Sequence, residues 1–274
     1  MTFKNKTAFI TGTSRGIGKA IALRLAREGA HIIIAAKSVT ENPKLGGTIY
    51  TAAREIEEAG GKAFAVPCDI RDEQQIINAV EQGANHFGGI DILINNASAI
   101  ALTNTTQITS KQFDLMNDIN VRGTFLVSKA CIPYLKKSDN GHIITLSPPL
   151  NMDEKWFHNH TAYTISKYSM SMIAFGLAAE LKKDNIASNT LWPKTTIATA
   201  AVQNLLGGEA LINMSRKPEI MADAAFQILS KNAATFTGHH LIDEEVLREA
   251  GETDFEKYAV VKGGKLFGDL FLAP

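Results

Sequence analysis

Two residues of this sequence, Tyr163 and Lys167, place a phenol and an ammonium group four positions apart. Side chains at that spacing share one face of a helix, so the lysine can lie beside the tyrosine hydroxyl. A free phenol titrates near ~10, and a cation about 4 Å away favours its anion by roughly 4 kcal/mol at an effective dielectric of about 20. We therefore expect Lys167 to lower the pKa of Tyr163 towards the range of an efficient acid or base. The competing interpretation is a chance pair on an amphipathic helix.

A glycine-rich turn near the N-terminus is the second stretch that suggests chemistry. An apolar strand is predicted at residues 6–11, a helix follows and ends at Gly29, and a second apolar strand is predicted at residues 31–36. This order is a βαβ unit. The glycines of the turn at residues 12–18 would let backbone N–H groups approach a pyrophosphate at the positive end of the helix. The alternative is a turn that only packs helix against strand, and the flanking elements favour nucleotide binding.

The remaining chain continues to alternate between strand and helix patterns. Further strands are predicted at residues 62–67, 91–94, 142–146, 186–192 and 239–242, and helices at residues 48–59, 72–87, 110–137, 161–183, 198–205 and 218–230. Regular alternation predicts an α/β fold with a single doubly wound parallel sheet, Rossmann-type, with helices on both faces. We expect one domain over residues 1–274, of which residues 243–274 form an irregular packed tail.

Several polar or small residues fall at or just after the ends of predicted strands. In an open parallel sheet, ligands bind beyond the carboxyl ends of the strands. The residues in these positions are Gly12, Lys37, Asp69, Asn96, Ser147 and Pro193. Their coincidence predicts one shared site.

Composition narrows the class of protein. The 274 residues are 45% hydrophobic, and 28 basic residues balance 28 acidic ones. This balance does not favour binding to nucleic acid or an anionic membrane. No apolar run approaches a membrane span, and the N-terminus lacks a signal-peptide core, so we expect a cytoplasmic protein. The two cysteines, Cys68 and Cys131, are far apart, and no metal site is predicted.

Together, these motifs resemble the short-chain dehydrogenase/reductase family over residues 5–245. The glycine motif of the family is matched at residues 11–18, and its Asn-Asn-Ala-Gly turn at residues 95–98, where Ser98 replaces the glycine. The Trp-Pro-Lys-Thr segment at residues 192–195 resembles the hydroxysteroid dehydrogenase-like branch. Animal members of that branch carry a sterol-carrier-like domain, which we do not expect in this chain.

The resemblance implies hydride transfer between a nicotinamide cofactor and a carbonyl/alcohol pair, with Asn120, Ser147, Tyr163 and Lys167 as catalytic residues. Tyr163 would protonate the developing alkoxide, and Ser147 would hold the same oxygen by a hydrogen bond. Lys167 would tune Tyr163 and bind the ribose hydroxyls. Asn120 would tie Lys167 to a water chain. The alternatives are that Ser147 only forms a turn before Pro148, and that Asn120 only satisfies a kinked helix backbone.

The strand end after Ala36 bears on the choice of cofactor. NAD-binding proteins place an acid about 20 residues beyond the glycines for the ribose 2′-hydroxyl. This chain has Lys37 there, and Lys37 with Arg15 would neutralise a 2′-phosphate, so NADP(H) is preferred and NAD(H) possible. The predicted cofactor-binding residues are Gly12, Thr13, Ser14, Arg15, Gly16, Ile17, Gly18, Lys37, Asp69, Ile70, Asn96, Ala97, Tyr163, Lys167, Pro193 and Thr199, with Thr196 as second choice for Thr199.

Two departures from the family pattern concern the loop after Ser147 and the nicotinamide contacts after Pro193. The loop at residues 151–160 is longer than usual, and Lys194 replaces a glycine. Apolar residues near these departures either line a lid for an apolar, lipid-like substrate or pack ordinarily; they are Trp156, Phe157, His158, Leu205, Leu206 and Leu211. The alternative function is an NADP(H)-binding redox sensor or scaffold with little turnover. Epimerases and dehydratases of the extended families have a different glycine spacing, and a lipid-carrying module is least compatible with a nucleotide site. From the family we expect a homodimer or homotetramer, paired through the helices at residues 110–137 and 161–183.

Overall fold

A computed structural model describes residues 3–43 and 45–272. In this part of the chain, seven strands form one sheet in the order β3-β2-β1-β4-β5-β6-β7, and each neighbouring pair is parallel. The strands are β1 (Thr7–Thr11), β2 (His31–Ala36), β3 (Lys62–Pro67), β4 (Ile92–Asn95), β5 (His142–Thr145), β6 (Ala187–Trp192) and β7 (His240–Ile242). The predicted doubly wound parallel sheet is confirmed. Its strand order reverses between β1 and β4, which is where such sheets bind ligands.

Helices cover both faces of the sheet. They are α1 (Gly16–Ala26), α2 (Ile49–Glu58), α3 (Glu73–Phe87), α4 (Ser110–Met116), α5 (Thr124–Leu135), α6 (Thr161–Glu180), α7 (Gly208–Asn213), α8 (Glu219–Leu229) and α9 (Asp243–Glu249). Helices α1, α2 and α8 pack on one face of the sheet through one apolar cluster. Helices α3, α5 and α6 contribute to a second cluster on the opposite face. The near-continuous apolar strands are the sequence signature of a sheet buried on both faces.

The helix starts follow from local sequence signals. Thr109 caps α4 by accepting a hydrogen bond from the Gln112 backbone N–H, and the Gln112 side chain bonds back to the Thr109 N–H. Thr48 forms a similar capping box with Thr51 at the start of α2. Asp72 caps α3 through the backbone N–H groups of the first turn. Such reciprocal bonds satisfy donors that a helix start otherwise leaves without partners.

The structure differs from the sequence prediction in three elements. In place of the helix predicted at residues 198–205, a π-helical turn at Val202–Leu206 precedes helix α7, which was not predicted. The helix predicted at residues 110–137 contains a π-helical turn, Asn117–Gly123, between α4 and α5. The tail predicted to be irregular begins with helix α9. Three acidic residues lie in the first turn of α9 and Arg248 in its last turn, the charge arrangement that a helix dipole favours. That signal was present in the sequence, but the prediction treated residues 243–274 as one irregular segment.

Candidate active site

A cavity of about 410 Å³ lies beyond the carboxyl ends of the first four strands. It is bordered by the glycine turn after β1 and by residues that follow β2, β3 and β4. Eleven of the predicted cofactor-binding residues line it: Gly12, Ser14, Arg15, Gly16, Ile17, Lys37, Asp69, Ile70, Asn96, Ala97 and Thr199. The other five, Thr13, Gly18, Tyr163, Lys167 and Pro193, do not line this cavity. The cavity therefore brings together four of the six strand-end residues, Gly12, Lys37, Asp69 and Asn96, whereas Ser147 and Pro193 do not line it.

Asn96 fixes the glycine turn against β4. Its Nδ2 donates to the carbonyl oxygens of Thr11 at 2.7 Å and Gly12 at 3.2 Å, and its backbone N–H donates to Thr11 Oγ1. A Cβ on Gly18 would lie 2.4 Å from Asn96 Nδ2, and one on Gly12 would lie 2.9 Å away. Gly18 therefore serves the site by leaving room for the Asn96 amide. Thr13 is buried and donates its hydroxyl to the Ile10 carbonyl, so it shapes the turn from within.

The far end of the cavity carries positive charge. Arg15 Nε donates to the Gly46 carbonyl at 2.8 Å, and its NH2 group donates to Ser38 Oγ and to the Gly47 carbonyl, each at 3.0 Å. Burial lowers the pKa of Arg15. Lys37 and Ser38 also line the cavity. Sequence reasoning missed Ser38, although its position directly after Lys37 was the available signal.

Asp69 adds one negative charge to the same cavity, and Arg71 largely engages it. Arg71 Nε donates to Asp69 Oδ1 at 2.9 Å and to Oδ2 at 3.0 Å. Hydrogen bonding from Arg71 holds the pKa of Asp69 below its usual value, and the charge of Lys37 acts in the same direction. Asp69 is therefore an anion whose oxygens are largely satisfied within the protein.

Asn120 lies in the π-helical turn and is fully buried. Its Oδ1 accepts hydrogen bonds from the Ala99 N–H at 2.8 Å and from Ser98 Oγ at 3.1 Å. Its Nδ2 donates to the Ala99 carbonyl and to Ser166 Oγ, each at 2.9 Å. Ser98 also lines the cavity, so these bonds form a continuous connection from the cavity to helix α6. The contact that the resemblance implied between Asn120 and Lys167 is replaced here by the contact to Ser166.

Helix α6 carries both Tyr163 and Lys167, and β5 leads into Ser147. Tyr163 is only 5% exposed, Lys167 is buried, and Ser147 is fully buried with an Oγ that has no hydrogen-bond partner among the described residues. Lys167 Nζ donates to the Leu146 carbonyl at 2.6 Å and contacts Met170 Sδ at 3.3 Å. Lys167 on α6 is thus bonded to the backbone directly before Ser147, whereas Asn120 reaches α6 through Ser166.

The pKa values at this site are governed by burial. Burial raises the pKa of Tyr163, and the charge of Asp269 raises it further. Burial lowers the pKa of Lys167 to about 7, with the charge of Asp269 acting in the opposite direction. The expectation that Lys167 lowers the pKa of Tyr163 is therefore wrong for this conformation, because the loss of water outweighs the neighbouring cation. The phenol is held neutral, which suits it to donate a proton.

The long loop after Ser147 packs against the core. Trp156 and Phe157 join an apolar cluster that contains Tyr163, Trp192 and Phe271. This packing supports the interpretation of these two residues as core side chains. Leu205, which is 64% exposed, lines the nucleotide cavity instead.

Neither a metal-ligating cluster nor a membrane-spanning helix occurs among the described residues. No group of three or more histidine, cysteine, aspartate or glutamate side chains in this part of the chain is arranged to hold a metal ion. None of the helices within residues 3–43 and 45–272 is both long enough and apolar enough to cross a membrane.

Comparison with known proteins agrees with this architecture. The sequence profile described as short chain dehydrogenase matches residues 6–209. Hydroxysteroid dehydrogenase-like protein 2 from Xenopus laevis is 59% identical over 266 residues, which cover 97% of this chain and 63% of the relative. The chain thus spans less than two thirds of the length of that relative.

Solved structures are also similar. A putative dehydrogenase from Xanthomonas campestris has a TM-score of 0.97 and 51% sequence identity, with all of both chains covered. A short chain dehydrogenase from Mycobacterium paratuberculosis bound to NAD has a TM-score of 0.74 and 25% identity, covering 90% of this chain and 100% of the other.

Proposed function

This chain belongs to the short-chain dehydrogenase family, and from that premise we propose that it transfers a hydride between NADP(H) and a carbonyl/alcohol substrate. The observation that carries the proposal is the connection from the nucleotide cavity to helix α6. Ser98 lines the cavity and donates to Asn120, and Asn120 donates to Ser166 on the helix of Tyr163. A rigid hydrogen-bonded support of this kind is what a precisely held reaction centre requires.

The residues of the cavity fit a dinucleotide. The glycine turn contributes Gly12, Ser14, Arg15, Gly16 and Ile17 to the wall of the cavity, next to the start of α1. The positive end of that helix favours a pyrophosphate. When bound, the nicotinamide would supply or accept the hydride.

The protein groups that would act on the substrate are Tyr163 and Ser147. Tyr163 is held neutral by burial and would give its proton to the alkoxide oxygen as reduction proceeds. The Ser147 hydroxyl is buried without a partner, which is costly unless a ligand completes it. It would donate to the same oxygen and stabilise its developing charge. Lys167, with a pKa lowered to about 7, would supply a proton or positive charge behind the pair.

Preference for NADP(H) is supported by the groups at the far end of the cavity. Arg15, Lys37 and Ser38 offer two cations and a hydroxyl, a set that matches a phosphate. Asp69 carries the opposite charge but is engaged by Arg71. NAD(H) remains the alternative, since solved short-chain oxidoreductases of this fold carry either NAD or NADP.

An apolar, lipid-like carbonyl or alcohol is the substrate class that we propose. Tyr163 belongs to a cluster rich in aromatic side chains, which would contact apolar groups of a substrate. The name of the 59% identical relative, hydroxysteroid dehydrogenase-like protein 2, agrees with this class. We also propose a homodimer or homotetramer, because Phe125 on α5 and Met172 and Phe175 on α6 are each more than half exposed. Exposed large apolar side chains on neighbouring helices favour self-association.

One observation favours a second candidate, an NADP(H)-binding redox sensor or scaffold with little turnover. The ring of Phe271 lies 6.1 Å from that of Tyr163, and Tyr163 is almost fully buried. A permanently covered phenol would permit nucleotide binding without reduction of a bulky substrate.

The test measures NADPH consumption with a panel of apolar ketones and aldehydes, and NADPH affinity by its fluorescence. Wild type should reduce members of the panel, and Tyr163→Phe should retain nucleotide affinity but lose about 10²-fold or more in kcat. Tyr168→Phe is the matched control, because Tyr168 is equally buried on α6 and bonds only to the Asn151 carbonyl. Tight NADPH binding without turnover by wild type would favour the redox sensor.

A further inference from the structure

The C-terminal residues 267–272, here called the tail segment, lie against the face of the catalytic tyrosine. Phe271 is fully buried, and its ring centroid lies within about 6 Å of five other rings. The distances are 5.3 Å to Tyr168, 5.7 Å to Trp156, 5.9 Å to Trp192, and 6.1 Å to both Tyr163 and His160. Phe271 therefore packs beside the aromatic ring of Tyr163.

Hydrogen bonds tie the tail segment to the chain that follows β6. Trp192 Nε1 donates to the Leu270 carbonyl at 2.9 Å, and the Asp269 N–H donates to the Lys194 carbonyl at 3.1 Å. Thr195 and Gly268 form an antiparallel bridge. The tail segment is thus an ordered part of the site, held by residues on both sides of Pro193.

The backbone at Phe271 is itself unusual. Its φ of 73° lies in the left-handed region, which a bulky residue with a Cβ rarely adopts. Such conformations persist only where the surroundings fix them, and they cluster at functional sites. The five rings around Phe271 supply that fixation, so the side chain is directed at Tyr163 despite the backbone cost.

Asp269 brings a carboxylate to the same place. Its Oδ1 accepts the Leu270 N–H at 2.7 Å, and its charge acts on both Tyr163 and Lys167. The side chain is partly exposed, yet its surroundings are poor in water, and the desolvation raises its pKa to about 7. One short segment thus brings an aromatic ring against the ring of Tyr163 and a carboxyl group whose charge acts on Tyr163 and Lys167.

We propose that two residues of the tail segment, Asp269 and Phe271, form a substrate-selecting wall of the active site, with Phe271 limiting the size of the substrate and Asp269 rejecting anionic substrates. The inference rests on the proposed function and deepens it to neutral, apolar carbonyl compounds. Phe271 limits size because interiors are close-packed and a bulky group beside the carbonyl competes for its volume. In its ionised form, Asp269 rejects carboxylates because like charges in a poorly hydrated site repel strongly.

Three ketones test the wall: cyclohexanone, phenylcyclohexanone and oxocyclohexanecarboxylate. Phe271→Ala should raise kcat/KM for phenylcyclohexanone relative to cyclohexanone by about 10-fold or more, the effect expected for pocket volume. Asp269→Asn should raise the value for oxocyclohexanecarboxylate relative to cyclohexanone by a similar factor. Phe267→Ala is the matched control, since Phe267 lies in the same segment but is 48% exposed, and it should leave both ratios unchanged.

Two further measurements keep the outcome decisive. Phe271→Leu repeats the size test with a smaller loss of packing, in case the alanine variant fails to fold. The affinity of each ketone for the NADP⁺ complex, read from tryptophan fluorescence, tests the wall without turnover. If wild type reduces the ketones but a folded Phe271 variant leaves the phenylcyclohexanone/cyclohexanone ratio of kcat/KM unchanged, the inference is overturned and the proposed function is upheld. If wild type shows no turnover but the variants bind the ketones with altered affinities, the proposed function is overturned and the substrate-selecting wall is retained.

Discussion

Asn120 Nδ2 donates a hydrogen bond to Ser166 Oγ at 2.9 Å, and this buried contact joins the π-helical turn to helix α6, which carries Tyr163. Ser166 Oγ in turn donates to the Tyr163 carbonyl at 2.8 Å. Asn120 also pairs with both backbone groups of Ala99. A single side chain therefore holds three segments of the site together.

Replacing Asn120 should destabilise the fold as well as the site. In Asn120→Ala, Ser166 and the backbone of Ala99 lose buried partners, so we expect the free energy of unfolding to fall by about 1–3 kcal/mol. Urea unfolding measures this change. Asn117→Ala is the control in the same turn, because Asn117 makes only a peripheral bond to the Phe113 carbonyl. Equal free energies of unfolding for the two variants would show that the hydrogen bonds of Asn120 stabilise the protein no more than the single bond of Asn117.

The cofactor preference depends on the charge after β2. Lys37→Asp removes a cation and adds an acid at the cavity edge, so affinity for NADP(H) relative to NAD(H) should fall by about 10- to 100-fold, the weight of one charged hydrogen bond. Titration with both nucleotides gives the ratio. Lys62→Asp makes the same charge change at the first residue of β3, away from the carboxyl ends of the strands, and should not alter the relative affinity for the two nucleotides. If Lys37→Asp also leaves the ratio unchanged, Lys37 does not select the cofactor.

The two helical glycines Gly18 and Gly176 should respond oppositely to alanine. Gly18→Ala forces a Cβ to within 2.4 Å of Asn96 Nδ2, so nucleotide affinity and thermal stability should both decrease. No atom lies within 4 Å of the Cβ position at Gly176 in α6. Gly176→Ala should therefore stabilise the protein by up to about 1 kcal/mol through helix propensity. Thermal unfolding and NADPH titration compare the two variants. If Gly18→Ala changes neither stability nor nucleotide affinity, the close contact between Gly18 and Asn96 is refuted.

His142 should make stability depend on pH. Burial lowers the pKa of His142 to about 4, and its Nε2 contacts the Lys231 carbonyl at 3.1 Å. Between the unfolded value of 6.5 and about 4, only the unfolded chain binds the proton. The stabilisation is therefore complete above the unfolded pKa and is lost as pH falls, by roughly 1 kcal/mol per pH unit.

His142→Gln is the variant that isolates this effect, since glutamine retains a donor but does not titrate. Urea unfolding at neutral pH and near pH 5 should show a steeper loss of stability in wild type than in the variant. Parallel curves for the two proteins would assign the acid sensitivity to other groups.

Most of the fold could be predicted because periodicity and turn residues carry it. Strands such as β2 are continuous apolar runs, and helix starts are marked by residues such as Thr109 and Asp72, whose side chains cap the first turn. Alternation of strand and helix predicted the parallel sheet, which the structure confirms, but the order of the strands was not predicted.

The site was predictable where a motif is local in sequence, and not where distant segments meet. The glycine turn and Asn96 were found because they follow strands directly. Phe271 was not, since its contact with Tyr163 depends on how the tail segment folds back across β6. The direction of the Tyr163 pKa was missed because burial cannot be judged from the spacing of two residues.

The central claim, hydride transfer with Tyr163 as proton donor, is tested most directly by following an isotope. NADPH deuterated at its reactive nicotinamide carbon is incubated with a ketone substrate, and the alcohol is analysed by mass spectrometry for wild type and Tyr163→Phe. The account predicts one deuterium on the carbinol carbon, formed at least about 10²-fold more slowly by the variant. Alcohol without deuterium, or equal rates for both proteins, would contradict it.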